Sequence, residues 1–146
     1  MEVVSLIISS LAFFFSVWQF CYEKKRNRSE ATIHAFDDLE ENVFSKEEYN
    51  DKLVLLAGKE VAKNVDGCYS RKATLFLSRI EHFSVGVNSG VYDLVVLNRM
   101  AGAFIIKQYS KWSPYIETKR QNNENSKYYD EFEKLHNSLI ELRKNI

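Results

Sequence analysis

Proline and glycine are scarce in this chain, with a single proline (Pro114) and five glycines among 146 residues. Because these residues end helices and form tight turns, their scarcity favours a nearly all-helical chain. There are only two cysteines, Cys21 and Cys68. They fall in different parts of the predicted organisation, so no disulfide is expected and a reducing compartment is indicated.

Catalytic and metal-binding motifs are also lacking. None of His34, His82 and His136 has a second histidine or cysteine at metal-ligand spacing, and there is no glycine-rich phosphate loop or nucleophile elbow. The 20 basic and 20 acidic residues cancel, which is not the pattern of a general nucleic-acid-binding protein. The sequence therefore predicts no catalytic residue, no metal and no cofactor, and any anionic ligand must bind a local cluster.

Charge is absent from Val3 to Tyr22, and the basic segment 23–28 (EKKRNR) follows directly. A 20-residue helix rises about 30 Å, the hydrocarbon thickness of a bilayer, so residues 1–22 are predicted to form a transmembrane helix. A cleaved signal peptide would need positive charge before the run and small residues after it, and this segment has neither. The basic flank predicts a single pass of the bacterial inner membrane, with the N-terminus outside and residues 23–146 in the cytoplasm. A buried core helix is the alternative.

The small and polar residues of this segment fall on one helix face, at spacings of four and three. Small residues let helices approach closely, and hydroxyl or amide groups can bond across them. The face predicts contact with lipid on its other sides and self-association into a homo-oligomer such as a tetramer. It either lines a pore or only packs helices, and a monomeric anchor with tolerated serines is the third possibility. The residues of this polar face are Ser5, Ser9, Ala12, Ser16 and Gln19.

The fold class predicted is all-α, with the N-terminal transmembrane helix continuing into a cytoplasmic helical bundle. Residues 23–45 are predicted as a juxtamembrane helix, since 23–42 contain no glycine or proline. Residues 46–146 form the predicted cytoplasmic helical domain. Its helices are expected over 47–64, 71–89, 91–112 and 126–145, with Ser70 as an N-cap, Gly90 as a C-terminal cap, Pro114 as a stop and a loop over 119–125.

Apolar residues at spacings of three and four predict the core face of each helix. The helix predicted over 91–112 is apolar most of the way round, but Asp93, Arg99 and Lys107 leave no uncharged stretch long enough for a second span, so it is predicted as a core helix. The predicted core residues are Ile33, Phe36, Leu39, Val43, Leu53, Leu56, Val61, Val65, Leu75, Phe76, Ile80, Phe83, Val87, Leu94, Val95, Leu97, Met100, Phe104, Ile105, Tyr129, Phe132, Leu135, Leu139 and Leu142.

Two groups of cations suggest a site for an anionic ligand. The first opens a predicted helix, where backbone N–H groups and the helix dipole also favour an anion. The second interleaves cations with aromatic rings, as stacking on nucleobases requires. A further arginine, in the middle of an apolar helix, needs an acidic partner or an anion. The candidate ligand-binding residues are Arg71, Lys72, Arg79, Arg99, Trp112, Tyr115, Lys119 and Arg120. Helix capping, core aromatic residues and internal ion pairs are the alternatives.

Segments 71–81, 85–90, 111–120 and 128–135 carry a resemblance that, with the N-terminal span, covers most of the chain. The chain resembles short bacterial single-span membrane proteins that carry a domain of unknown function. It is similar to the membrane effectors of Hailong-type anti-phage defence systems. The resemblance implies an oligomeric ion channel whose cytoplasmic domain binds a nucleotide or oligonucleotide signal. It also implies functional pairing with a nucleotidyltransferase, and a signal that keeps the channel shut. It transfers no signal-binding motif.

The first hypothesis is therefore a ligand-controlled membrane channel. The alternative is a membrane-anchored, non-channel interaction protein whose helical domain recruits a cytoplasmic partner. A membrane-tethered enzyme is a third possibility, although the residues argue for a protein without enzymatic activity.

Overall fold

The structure, a computed structural model, describes residues 2–122 and 127–145, with the backbone alone for residues 2–6. The described residues form helices and turns without a strand, which confirms the predicted all-α class. A π-helical turn, Glu40–Phe44, and a 3-10 turn, Glu47–Tyr49, separate the first two helices. The five α-helices are α1 (Glu2–Leu39), α2 (Asp51–Ala62), α3 (Cys68–Asn88), α4 (Leu94–Asn122) and α5 (Asp130–Lys144).

The longest helix, α1, joins the N-terminal apolar segment to the packed domain without interruption. Its last turn widens into the π-helical turn, which ends where the N–H of Ser45 donates to the carbonyl of Glu40 at 2.9 Å. The predicted continuity between residues 1–22 and 23–45 is therefore found. Within the part of the chain that the structure describes, none of the helices combines the length and apolar character needed to cross a membrane.

The domain core is a cluster of aromatic and aliphatic side chains enclosed by α2, α3, α4 and α5. The fully buried rings of Phe76 and Trp112 lie 5.0 Å apart between their centroids. The second half of α1 adds Phe36 and Leu39 to this core, and the π-helical turn adds Val43. The domain therefore packs around the end of α1.

Polar contacts also fix α1 to the start of α4. The buried Thr32 hydroxyl donates to the carbonyl of Arg28 at 2.7 Å and accepts the N–H of Asp93 at 2.7 Å. The Arg28 side chain donates to the carbonyl of Tyr92 at 3.2 Å. The bonds of Thr32 to Asp93 and of Arg28 to Tyr92 span more than sixty residues of sequence and join α1 to the start of α4.

The start of α3 differs from the prediction. The helix begins at Cys68, three residues before the predicted Arg71, and the predicted cap Ser70 lies buried inside the first turn. The Glu60 carboxylate of α2 accepts the N–H of Ser70 at 2.7 Å and so caps the helix from outside. A Cβ at Gly67 would overlap this carboxylate, so a larger residue there would displace the Glu60 side chain from its capping position.

The bounds of α4 also differ. The helix begins at Leu94 rather than Val91, because the Asp93 carboxylate accepts the N–H of Val95 at 2.9 Å and caps the first turn. It continues through Pro114 to Asn122, so the predicted stop was wrong. Proline removes one backbone hydrogen bond, while the helix on either side gains a buried apolar face. The predicted loop was wrong over 119–122, and 123–125 lie outside the described residues.

The turns around α3 and α5 are partly as predicted. Gly90 follows the end of α3 with a φ of +80°, which confirms the predicted C-terminal cap. The last helix begins at Asp130, after Tyr129 in the left-handed region with a φ of 59°. Its predicted start at Ser126 lies outside the described residues.

Most of the predicted core positions are buried, including Phe76, Ile80 and Phe83 of α3 and Phe132, Leu135 and Leu139 of α5. A second group is only partly buried: Leu56, Leu94 and Leu142. The prediction was wrong for a third group, whose side chains remain exposed. These exposed residues are Ile33, Val65, Leu75, Val95, Met100 and Phe104.

Candidate ligand-binding site

The predicted ligand-binding cations do not converge on a single site within the chain. They line three separate depressions or form ion pairs. We call the first the α2–α3–α4 cleft, of about 590 Å³, lined by Arg71, Thr74, Lys119, Asn122 and Tyr128 among others. The second is the α1–α3 groove, of about 680 Å³, lined by His34, Asp38, Arg79 and His82. The third is the α4–α5 hollow, of about 520 Å³, lined by Asn98, Arg99, Gly102, Phe104 and Arg143.

The α2–α3–α4 cleft brings together two of the predicted cations, Arg71 and Lys119. The Lys119 ammonium donates to the Thr74 hydroxyl at 2.7 Å and lies 5.8 Å and 5.7 Å from the ring centroids of Tyr115 and Tyr128. Aromatic faces and a hydroxyl thus hold the cation in place. The cleft offers an anion one oriented ammonium and one exposed guanidinium.

The rest of this cleft is mixed, with the apolar residues Val61, Val65 and Leu75 beside the polar residues Asn64, Asp66 and Asn122. Asn122 donates its amide to the carbonyl of Val61. Tyr128, which is half-buried, is the aromatic residue that lines the cleft. A ligand with both hydrogen-bonding edges and negative charge, such as a nucleotide, matches these groups better than a bare anion does.

The N-terminus of α3 is already supplied with an anion. The Glu60 carboxylate bonds the N–H of Ser70, so it occupies the position predicted for a ligand. Beside it, the Lys72 ammonium lies 3.3 Å from the Glu48 carboxylate. The hydrogen bond to Glu48 and the charge of Glu48 raise the pKa of Lys72 above its ordinary value. Neither the helix end nor Lys72 is therefore available to a ligand in this arrangement.

Trp112 and Tyr115, predicted to stack on a ligand, belong to the core. Trp112 is fully buried against Phe76, and Tyr115 is buried with its hydroxyl 3.3 Å from the carbonyl of Ser70, to which it donates. Because α4 continues through Pro114, both rings turn inward. The stacking prediction is corrected accordingly, and the alternative of core aromatic residues is the one found.

Arg120 forms the internal ion pair that was the alternative to ligand binding. Its Nη1 lies 2.8 Å from the Glu133 carboxylate, and its Nε donates to the carbonyl of Tyr128 at 2.9 Å. The guanidinium thus joins α4 to α5 and to the segment that precedes it. Its contribution is structural, and the ligand prediction for Arg120 is corrected.

The last two predicted cations, Arg79 and Arg99, are both exposed. Arg79 lies in the α1–α3 groove together with His34, His82 and Asp38. Arg99 lies in the α4–α5 hollow, where Arg143 approaches from the last turn of α5. Among the described residues, no three histidine, cysteine, aspartate or glutamate side chains converge as metal ligands would.

The predicted polar face of α1 is solvent-exposed at Ser9, Ala12, Ser16 and Gln19. The Ser16 hydroxyl donates to the carbonyl of Ala12 at 2.8 Å, and the Gln19 amide donates to the Glu23 carboxylate at 3.3 Å. The bonds of Ser16 and Gln19 stay within the helix. The side chain of Ser5 lies outside the described residues.

Large apolar side chains cover the remaining faces of this part of α1. Phe14 is 70% exposed and Leu11 is 65% exposed. Soluble monomers rarely expose contiguous apolar surface of this kind. The other large exposed residues of the segment are Ile7, Ile8, Phe13, Phe15, Val17, Trp18, Phe20 and Tyr22.

The sequence analysis did not predict several of the residues that line these depressions. Thr74, Asn122 and Tyr128 are ordinary polar residues without a motif. Tertiary packing brings Thr74 and Tyr128 to Lys119, whereas Asn122 lies one helical turn after it on α4. Arg143 had a signal only as a cation in the last turn of a helix, which complements the helix dipole in any protein.

The fold defines an all-helical protein in which a long helix with an exposed apolar half emerges from a packed domain. The chain belongs to the family described as "Domain of unknown function (DUF4760)", which matches residues 6–139. No curated protein matches the chain, and no solved structure matches it.

Proposed function

We propose that this protein is a homo-oligomeric membrane effector. In this proposal it forms an ion channel that a nucleotide or oligonucleotide signal controls from the cytoplasmic domain, in anti-phage defence. The observation that carries the proposal is α1, a single helix whose first half is apolar and exposed and whose last turns pack one side, at Thr32, Phe36 and Leu39, against the domain. One rigid element thus connects the proposed membrane segment to the proposed sensor.

Insertion of the first half of α1 into lipid would cover its exposed apolar surface. The uncharged run in the sequence starts at Val3, before the described side chains begin, and reaches Tyr22. Its 20 residues match the thickness of the hydrocarbon core. Trp18 and Tyr22 stack with ring centroids 6.1 Å apart beside the basic flank, where aromatic side chains favour the membrane interface. This supports a single pass with the domain in the cytoplasm.

The polar face supports assembly around a central axis. Ser9, Ala12, Ser16 and Gln19 share one side of a helix that is otherwise covered by large apolar residues. In lipid, small and hydroxyl-bearing residues favour contact between helices. A ring of such helices, for example a tetramer, would direct these groups towards a shared aqueous path.

The contacts between α1 and the domain support control of the channel by a ligand. Thr32 bonds to Asp93, and Phe36 packs against Phe83 of α3 with ring centroids 6.2 Å apart. A signal in the α2–α3–α4 cleft, at Arg71 and Lys119, would act on α3 and α4 and thereby on α1. It shifts the channel equilibrium only by its different affinity for the open and closed states.

Ion flux into liposomes that contain the purified full chain tests the proposal. We expect flux that is lost when Ser9 and Ser16 are both replaced by leucine. The matched control is Ser10→Leu, because Ser10 lies on the same exposed segment but off the polar face, and it should conduct like the wild type. Absence of flux from the wild type, with and without short DNA or RNA oligomers, would refute the channel.

The signal is tested by adding short oligonucleotides and nucleotides to conducting liposomes. A ligand that closes the channel should act less well on Arg71→Gln and Lys119→Gln. If none of these ligands changes the conduction, the proposed control by a ligand is wrong even though the channel exists.

The second candidate is a membrane-anchored interaction protein without a pore. It is favoured by the ion pairs of Lys72 and Arg120, which use up two of the predicted ligand-binding cations. In that case the exposed groove beside α1 would bind a cytoplasmic partner. Insertion without flux, at protein levels where the oligomer forms, is the result expected for it.

A further inference from the structure

We propose that the α4–α5 hollow is a binding site for a phosphate ester, with Arg99 and Arg143 as its ligand-binding cations. The two guanidinium groups come from different helices, α4 and α5, and line the same depression of about 520 Å³. The inference is independent of the proposed channel, because binding is measured without ion flux.

The charge of this hollow is unbalanced. The lining contains two arginines and no acidic side chain. Within the described residues neither Arg99 nor Arg143 forms an ion pair, whereas Arg120 and Lys134 do. An anion bound in this depression would therefore meet positive charge without a competing carboxylate from the lining. The planar guanidinium group suits the oxygen pairs of a phosphate.

Gly102 of α4 lets the side chains of Asn98 and Arg143 lie close against the helix backbone. At Gly102 a Cβ would overlap the Asn98 side-chain oxygen and lie 2.9 Å from Nη1 of Arg143. Asn98 is only 8% exposed, and its Oδ1 accepts the Arg143 Nη1 hydrogen bond at 3.0 Å. A nearly buried amide thus orients Arg143 over a glycine floor, so the cation is held in place before any ligand arrives.

The edge of the hollow is apolar. Met100 and Phe104 line it and remain partly exposed. A phosphate joined to an apolar or aromatic group therefore fits better than an inorganic ion alone. A nucleotide and a phospholipid headgroup share this chemistry, and the experiment distinguishes these two sources.

The test is calorimetric titration of the purified full chain in a neutral detergent. Adenosine monophosphate is the nucleotide probe, and dihexanoyl phosphatidic acid is the lipid probe. We expect Arg99→Gln and Arg143→Gln each to weaken binding of at least one probe by roughly tenfold or more, the value of one charge-assisted hydrogen bond. The probe that binds the wild type more tightly identifies the source.

The matched control is Lys144→Gln, which removes the neighbouring cation of the same helix end outside the hollow. It should bind like the wild type. Gly102→Ala, which fills the floor, should weaken binding as well, and its thermal unfolding reports whether it folds. Equal affinity of the wild type and Arg99→Gln would overturn the proposal, as would no binding of either probe to the wild type.

Discussion

Replacement of Glu81 by glutamine should destabilise the start of α5. The cap residue Tyr129 offers that helix no side-chain hydrogen bond. Instead, Glu81 of α3 reaches across, and its two carboxylate oxygens accept the N–H groups of Glu131 at 3.0 Å and Phe132 at 2.8 Å. One side chain thus supplies the cap of a helix fifty residues away and joins α3 to α5.

The magnitude follows from the number of acceptors. Glutamine keeps one carbonyl oxygen for one N–H, but its amide NH₂ faces the other, which is left without an acceptor. A partly buried donor in that state costs about 1–3 kcal/mol. For a chain of this length, 1 kcal/mol corresponds to about 4 °C in Tm, so we expect Glu81→Gln to unfold roughly 4–12 °C below the wild type.

Thermal unfolding followed by circular dichroism measures this difference. Burial raises the pKa of the Glu81 carboxyl, more than the two N–H donors lower it. The comparison is therefore made at about pH 8, where the carboxylate is ionised in both the folded and unfolded chain. Glu141→Gln is the control, because Glu141 is exposed on α5. If both variants unfold at the wild-type temperature, the capping argument is wrong.

Three further variants test other contacts. Thr32→Val removes the acceptor of the Asp93 N–H and should lower the free energy of unfolding by about 1–3 kcal/mol in urea, while Thr32→Ser should not. Pro114→Ala restores an N–H for the carbonyl of Ser110 and should raise the free energy of unfolding by up to about 3 kcal/mol. Its Tm should therefore rise, and an unchanged Tm would contradict this. Hydrogen bonds from Lys134 lower the pKa values of the Asp130 and Glu131 carboxyls. Both carboxylates therefore stabilise the folded chain above their ordinary pKa values, and this stabilisation is lost as the pH falls through the lowered values. In Lys134→Met, NMR titration should find both pKa values closer to ordinary ones.

Helical periodicity identified most of the core because it needs only local spacing. It could not choose among Leu75, Phe76 and Leu77, three successive apolar residues, and it took Leu75 as a core residue where the structure buries Leu77. A window of a few turns cannot tell which side of a helix its neighbours cover. That information depends on how α3 is placed between α2 and α5.

The ligand-binding residues were harder to predict because cations have many uses. Arg71 and Lys119 line the same cleft, whereas Lys72 and Arg120 form ion pairs with glutamates from other elements. The capping carboxylate of Glu60 is likewise ten residues away from the N–H that it accepts. Partners of this kind are set by the tertiary fold, and no local pattern announces them.

Because α1 is long, a small change of its tilt where it contacts the domain becomes a large displacement at its N-terminal end. From Thr32 to Ile7 the helix runs 25 residues, roughly 38 Å at 1.5 Å per residue. If the domain tilts α1 by about 10° at Thr32, Ile7 swings through roughly 6–7 Å, most of the usual 8–10 Å between packed helices. In the proposed oligomer, a modest rearrangement around Thr32 would thus become a displacement at the N-terminal end of α1 large enough to separate neighbouring helices.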